Sequence, residues 1–159
     1  MSATGLLMMI VGLAAVIEDL GWRRVSNWTS GGAVVAGLIV HSLQKGWSGA
    51  LHSLSGAAIG FAVFLVFYLL GGMGGGDVKL MAGFGALLGD GRILPAALLA
   101  SLSGGLMALG YLAVRGIVRR VKVWWGIAVT DAPTGEARSR ESIPYAPAIT
   151  AGAWLALVS

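Results

Sequence analysis

Two aspartates, Asp19 and Asp77, carry the clearest chemistry in this chain. Each stands at the edge of an apolar stretch, and Asp77 closes a run of glycines in Gly74-Gly75-Gly76-Asp77-Val78-Lys79-Leu80. A carboxylate beside lipid costs on the order of 3 kcal/mol at a helix centre on insertion scales, so one kept there calls for a function. Two carboxylates held close together cannot both ionise cheaply, and one keeps a proton near neutral pH. The ionised member can take a proton from water while the protonated member polarises a peptide carbonyl. That division of labour needs no metal, cysteine or serine nucleophile.

The rest of the chain offers no complete alternative. Seven acidic residues are present, and Asp131, Glu136 and Glu141 fall in a polar stretch where solvated charge is the default. Asp90, between Gly89 and Gly91, reads as a loop residue on the far side. His41 and His52 read as isolated residues near the outer ends of two apolar segments, and a metal site made from them alone is short of ligands, so none is expected. Cysteine is absent, which removes disulfides, thiolate metal sites and a cysteine nucleophile. The serines lack a His–Asp set with recognisable spacing. The glycine run is followed by aspartate rather than by Gly-Lys-Ser/Thr, so it is not a phosphate-binding loop. Two readings of Gly74, Gly75 and Gly76 stand side by side. They leave room for an extended peptide beside Asp77, or they form a flexible loop before a helix that Asp77 caps.

The elements that must hold these residues are apolar. The 159 residues are 57% hydrophobic and only 11% charged, against about 25% charged in soluble domains. This is the composition of an integral membrane protein. Its net charge of +4 is a matter of loop placement rather than of nucleic-acid binding. Six apolar segments are expected as helices: Gly5 to Ile17, Gly31 to Leu43, Ala50 to Leu70, Val78 to Leu88, Leu94 to Val114 and Pro144 to Val158. The third and fifth reach the ~20 residues that a span needs, and the others must borrow flanking residues. No Lys or Arg precedes the first segment and no small-residue cleavage site follows Ile17, so it reads as a retained span.

With the N-terminus outside, Arg23 and Arg24, and the run Arg115, Arg119, Arg120, Lys122, Arg138 and Arg140, all fall on the cytoplasmic side. This orientation brings Asp19 and Asp77 to the same membrane face. The pairs Gly56 with Gly60 and Gly85 with Gly89 have the four-residue spacing that lets membrane helices pack closely. Residues 115–142 are expected as a cytoplasmic loop. Within it Ile117, Val118, Val121, Trp125 and Ala128 line up as one face of a surface-lying amphipathic helix, or else extend the fifth span. The whole of 1–159 reads as a single all-α membrane domain, a bundle of about six transmembrane helices.

These residues resemble the type IV prepilin peptidases, membrane aspartic proteases of the GxGD group. The family's Gly-x-Gly-Asp-x-Lys-Leu motif is intact at Gly74 to Leu80. Its first motif, an aspartate followed by a basic stretch and Ile-Pro-Asn, is matched by Asp19-Leu20-Gly21-Trp22-Arg23-Arg24-Val25-Ser26-Asn27, with Ser26 where proline is expected. A Pro-aromatic-x-Pro element opens the last span as Pro144-Tyr145-Ala146-Pro147. The resemblance implies catalytic Asp19 and Asp77 at the cytoplasmic edge of a bacterial inner membrane. It implies no cofactor, and site-shaping or substrate-binding roles for Gly74, Gly75, Gly76, Lys79, Asn27 and Glu18. The expected partners are the lipid bilayer and a prepilin or pseudopilin with a short basic leader before an apolar helix. Larger members carry paired Cys-x-x-Cys motifs and methylate the new N-terminus. This cysteine-free chain looks like the short Flp or Tad-type form, without methyltransferase activity. The alternative from another class is a non-catalytic polytopic assembly or transport subunit.

Overall fold

The computed structural model describes residues 3–22, 24–70, 73–124 and 145–158. Among them are five helices: α1 (Ala3–Trp22), α2 (Asn27–Leu69), α3 (Gly75–Leu88), α4 (Asp90–Trp124) and α5 (Ala146–Val158). Apart from Leu70 and Tyr145, the described residues of all six apolar segments lie in helix, and the chain is the all-α membrane protein its composition calls for. α1, α2 and the 90–110 part of α4 are long and apolar enough to cross a bilayer.

The count of five conceals a sixth segment inside α2. Gly46 sits at φ 59° and ψ −138°, outside helical geometry and in a region that glycine enters without steric cost. In a straight helix residues 41 and 52 stand about 16 Å apart. Here the rings of His41 and His52 meet edge-on with centroids 5.4 Å apart. A side chain on Gly49 would fall on the His41 carbonyl. α2 is therefore a hairpin whose arms, 27–45 and 47–69, correspond to the second and third apolar segments.

α3 fills the space between these arms. Along it, Gly83, Ala86 and Leu87 meet Ala33, Gly37 and His41 in rising order, so it runs parallel to the first arm. Gly89, Gly85 and Met81 meet Gly56, Gly56 and Gly60, so it runs antiparallel to the second. At 14 residues α3 is about 21 Å long, less than the ~30 Å hydrocarbon core. It can be short because it is the centre of the bundle: Leu80, Met81, Phe84 and Leu87 are fully buried.

The two glycine pairs do what their spacing implies. A Cβ on Gly56 would strike the backbone of Gly85 and Gly89, and one on Gly85 would strike Gly56. The helix backbones touch there, as small residues allow in membranes. The large apolar side chains point the other way. Leu94, Leu98, Leu102 and Leu106 form an exposed stripe on α4, and Leu6, Ile10, Leu13 and Ile17 form one on α1. Stripes of this extent are unfavourable in water and natural against lipid.

α4 follows the second of the two readings of the 115–142 stretch, in which the fifth span extends. It continues through 115–124 as one helix. The opening part of the expected loop is thus an extension of the fifth apolar segment, while 125–142, with Trp125, Ala128 and the polar run, lies outside the described residues, as does Arg23.

Candidate active site

The topology brings four helix ends together. α1 and the second arm of α2 finish where α3 and α5 begin. Asp19 lies in the last turn of α1 and Asp77 in the first turn of α3, and both are buried, with 7% and 8% of their surface exposed. Asp77 is near enough to feel the charge of Asp19. The sequence places the two on one face by counting charges, and the fold brings them into electrostatic reach.

Each carboxylate is oriented by a backbone donor at a helix start. The N–H of Gly74 donates to Asp77 Oδ2 at 3.2 Å, the reach-back from the third helical position to the cap. So Asp77 does cap α3, and it does so while buried beside a second acid. The N–H of Ala146 donates to Asp19 Oδ2 at 3.0 Å. The first N–H groups of any helix lack partners within it. At α5 the cap position is Tyr145, whose carbonyl accepts from Ile149 N–H at 3.0 Å, and a tyrosine is not a standard capping side chain. Pro147 removes one donor by having none. Asp19, reaching from the other end of the sequence, satisfies the N–H of Ala146. Tyr145 itself lies within electrostatic reach of Asp77.

A second set of contacts braces the turn between α1 and α2. Glu18 Oε2 accepts from the Ser26 N–H at 2.7 Å, and Oε1 accepts from the Thr29 hydroxyl at 2.7 Å. Ser26 Oγ accepts from Trp28 N–H at 3.1 Å as the N-cap of α2. The Lys79 ammonium donates to Asn27 Oδ1 at 2.9 Å, tying the start of α2 to the turn of α3 that carries Asp77. Glu18, Asn27 and Lys79 thus link the segments that carry the two aspartates. Ser26 has φ −64°, an angle proline also adopts, but its N–H is bonded and its hydroxyl caps. Proline could do neither.

The glycines before Asp77 differ from those in the bundle. A Cβ on Gly74, Gly75 or Gly76 would come no closer than 3.6, 3.7 and 3.5 Å to its neighbours, which is ordinary contact. Packing does not require glycine at these three places. Gly74 is extended, with φ −82° and ψ 154°, and Gly75 and Gly76 open α3. Gly74 and Gly75 are exposed and Gly76 is half-buried, next to the buried Asp77.

Comparison with known proteins gives the chain a family. Residues 6–109 match the type IV leader peptidase family. The chain belongs to that family. It is similar to the prepilin leader peptidase/N-methyltransferase of Bacillus subtilis (strain 168), with 33% identity over 125 residues. The match covers 77% of this chain and 41% of that relative, so the chain spans well under half of the relative's length. No solved structure matches.

Two features of this leader peptidase family member were not legible beforehand. The first is the Ala146 N–H on Asp19, although a Pro-x-x-Pro helix start without a capping side chain signals that an acceptor must come from elsewhere. The second corrects an expectation. His41 and His52 are not isolated, since their rings touch and His52 Nδ1 pairs with Asp90. Asp90 is the first residue of α4 rather than a loop residue, and its other oxygen accepts from Ser55 Oγ at 3.2 Å. His41 Nε2 is bonded to the Leu87 carbonyl at 3.0 Å. This cluster stands at the opposite end of the bundle from Asp19 and Asp77. Among the described residues no group of three or more His, Asp or Glu side chains, this one included, is arranged to hold a metal ion.

Proposed function

We propose that this chain is an aspartic prepilin peptidase in which Asp19 and Asp77 are the catalytic pair. The observation that supports this most is that two buried carboxylates, from α1 and α3, stand within electrostatic reach of each other at one end of the bundle. One carboxylate accepts a proton from a water molecule as its oxygen attacks the scissile carbonyl carbon. The other donates its proton to the carbonyl oxygen. Collapse of the tetrahedral adduct breaks the C–N bond, and the amine leaves with a proton returned by the pair. The backbone donors at Gly74 and Ala146 hold the carboxylates in place, which is how binding geometry becomes rate.

The substrate in this reading is a Flp- or Tad-like prepilin or pseudopilin with a basic leader before an apolar helix. The bare glycines 74–76 give its unwound backbone space beside Asp77. Both oxygens of Glu18 are already engaged by Ser26 and Thr29, which favours a positioning role over direct attraction of the leader. The site faces the cytoplasm of a bacterial inner membrane, on the side where Arg24 lies. The absence of cysteine goes with leader removal alone, without methylation of the new N-terminus.

The test uses purified chain in detergent with a prepilin from the same organism and S-adenosylmethionine, followed by mass spectrometry of the new N-terminus. The expected product is leaderless and unmethylated. An uncut prepilin favours the non-catalytic assembly or transport subunit, and a methylated product overturns the peptidase-only reading.

A further inference from the structure

A cavity of about 180 Å³ lies between the second arm of α2, α4 and α5. Phe64 and Phe67 wall one side, Gly104, Gly105 and Ala108 the other, and Met73 and Tyr145 close one end. That end adjoins the catalytic pair. Met73 immediately precedes the glycine run that leads to Asp77, Tyr145 is within electrostatic reach of Asp77, and the next residue's N–H is bonded to Asp19. The lining is almost wholly apolar.

The two glycines in its wall need an explanation. A Gly in mid-helix costs about 1 kcal/mol relative to Ala. A Cβ on Gly31, Gly32, Gly110 or Gly116, which do not line this cavity, would meet nothing within 4 Å, but at Gly56, Gly85 and Gly152 the cost has a packing reason, because a Cβ there would strike a neighbouring backbone. Gly104 and Gly105 have none. A Cβ on Gly104 would make ordinary contact with the Tyr145 ring at 3.5 Å, and one on Gly105 would meet nothing within 4 Å. What their bareness preserves is the cavity. Gly105 is exposed as well as lining the cavity.

We propose that this cavity receives the first large apolar side chain of the prepilin helix downstream of the scissile bond, and that Gly104 and Gly105 set the size it accepts. This rests on the peptidase reading. A prepilin helix is itself apolar and reaches the site through the membrane. Seating its first large side chain here places the preceding peptide bond beside Asp77 and Asp19.

The experiment compares two prepilins, one with phenylalanine and one with alanine as that first apolar residue, against the wild-type chain and the variants Gly105→Phe and Ala108→Leu. One methylene more or less in an apolar pocket changes kcat/KM about 10- to 200-fold. The wild type is expected to prefer the phenylalanine substrate. At least one variant is expected to lower kcat/KM for it by about 10-fold or more, with the alanine substrate changed less than about 2-fold. An equal fall for both substrates in both variants, or no change in either, overturns the proposal. The second result is what a cavity filled only by lipid gives. A wild type that cuts neither prepilin instead removes the peptidase reading on which the proposal stands.

Discussion

Ser26 uses its backbone N–H and its hydroxyl at once, the first on Glu18 and the second on Trp28 N–H. A proline fits the φ of −64° but forfeits both bonds. A hydrogen bond to a charged group contributes about 1.5–3 kcal/mol and a cap about 1, while stiffening the unfolded chain returns about 0.4–1. Ser26→Pro is therefore expected to lower stability by about 2 kcal/mol in all, and Ser26→Ala, which loses the cap alone, by about 1. Thermal unfolding in detergent checks this. A Ser26→Pro chain as stable as wild type would show that the Glu18 bond is immaterial. The departure at position 26 was visible in the sequence, but its compensation was not. Glu18 lies a full turn away around the end of α1, and only the folded loop shows that its two oxygens belong to Ser26 and Thr29.

Glycines divide the elements into two kinds, and substitution distinguishes them. At Gly85 a methyl group would meet the Gly56 carbonyl across a helix contact, and forcing backbones apart costs about 1–3 kcal/mol or more. At Gly75 the same methyl makes ordinary contact with Tyr68, and Ala is the better helix former by about 1 kcal/mol. Gly85→Ala is expected to lower the unfolding midpoint and Gly75→Ala to hold or raise it. In the peptidase reading Gly75→Ala also slows cleavage, a split between stability and activity that a packing glycine does not give. Equal losses of stability at both positions would contradict this division. The four-residue spacing made the packing glycines legible, because helix geometry alone fixes which side they share. Gly46 was not legible in the same way. It interrupts helical dihedrals at one residue while helix continues on both sides, so the hairpin of α2 appears only in three dimensions. The His41–His52–Asp90 cluster escaped for the same reason, since that hairpin is what brings the histidines together.

Across the molecule the apolar segments, the basic loops and the two aspartates agreed on an all-α membrane bundle with both acids at one end. The described bundle has that form. Its direction in the membrane is a further expectation, and the absence of cysteine makes it simple to measure. Trp28 and Trp47 are both highly exposed; Trp28 lies at the start of the first arm of α2 and Trp47 at the turn between the arms, at opposite ends of the hairpin. In intact cells a membrane-impermeant maleimide is expected to label Trp47→Cys readily, and Trp28→Cys only after permeabilisation. The reverse pattern would put the aspartates on the wrong face to meet a cytoplasmic leader. The central claim is that Asp19 and Asp77 act as a pair, and it is tested most directly by cleavage of a prepilin by Asp19→Asn and Asp77→Asn chains, each checked for folding by its unfolding midpoint. General acid–base groups contribute about 100- to 10,000-fold, so each variant is predicted to lose at least about 100-fold in rate while remaining folded. A folded variant of either kind that still removes the leader at the wild-type rate would contradict the account.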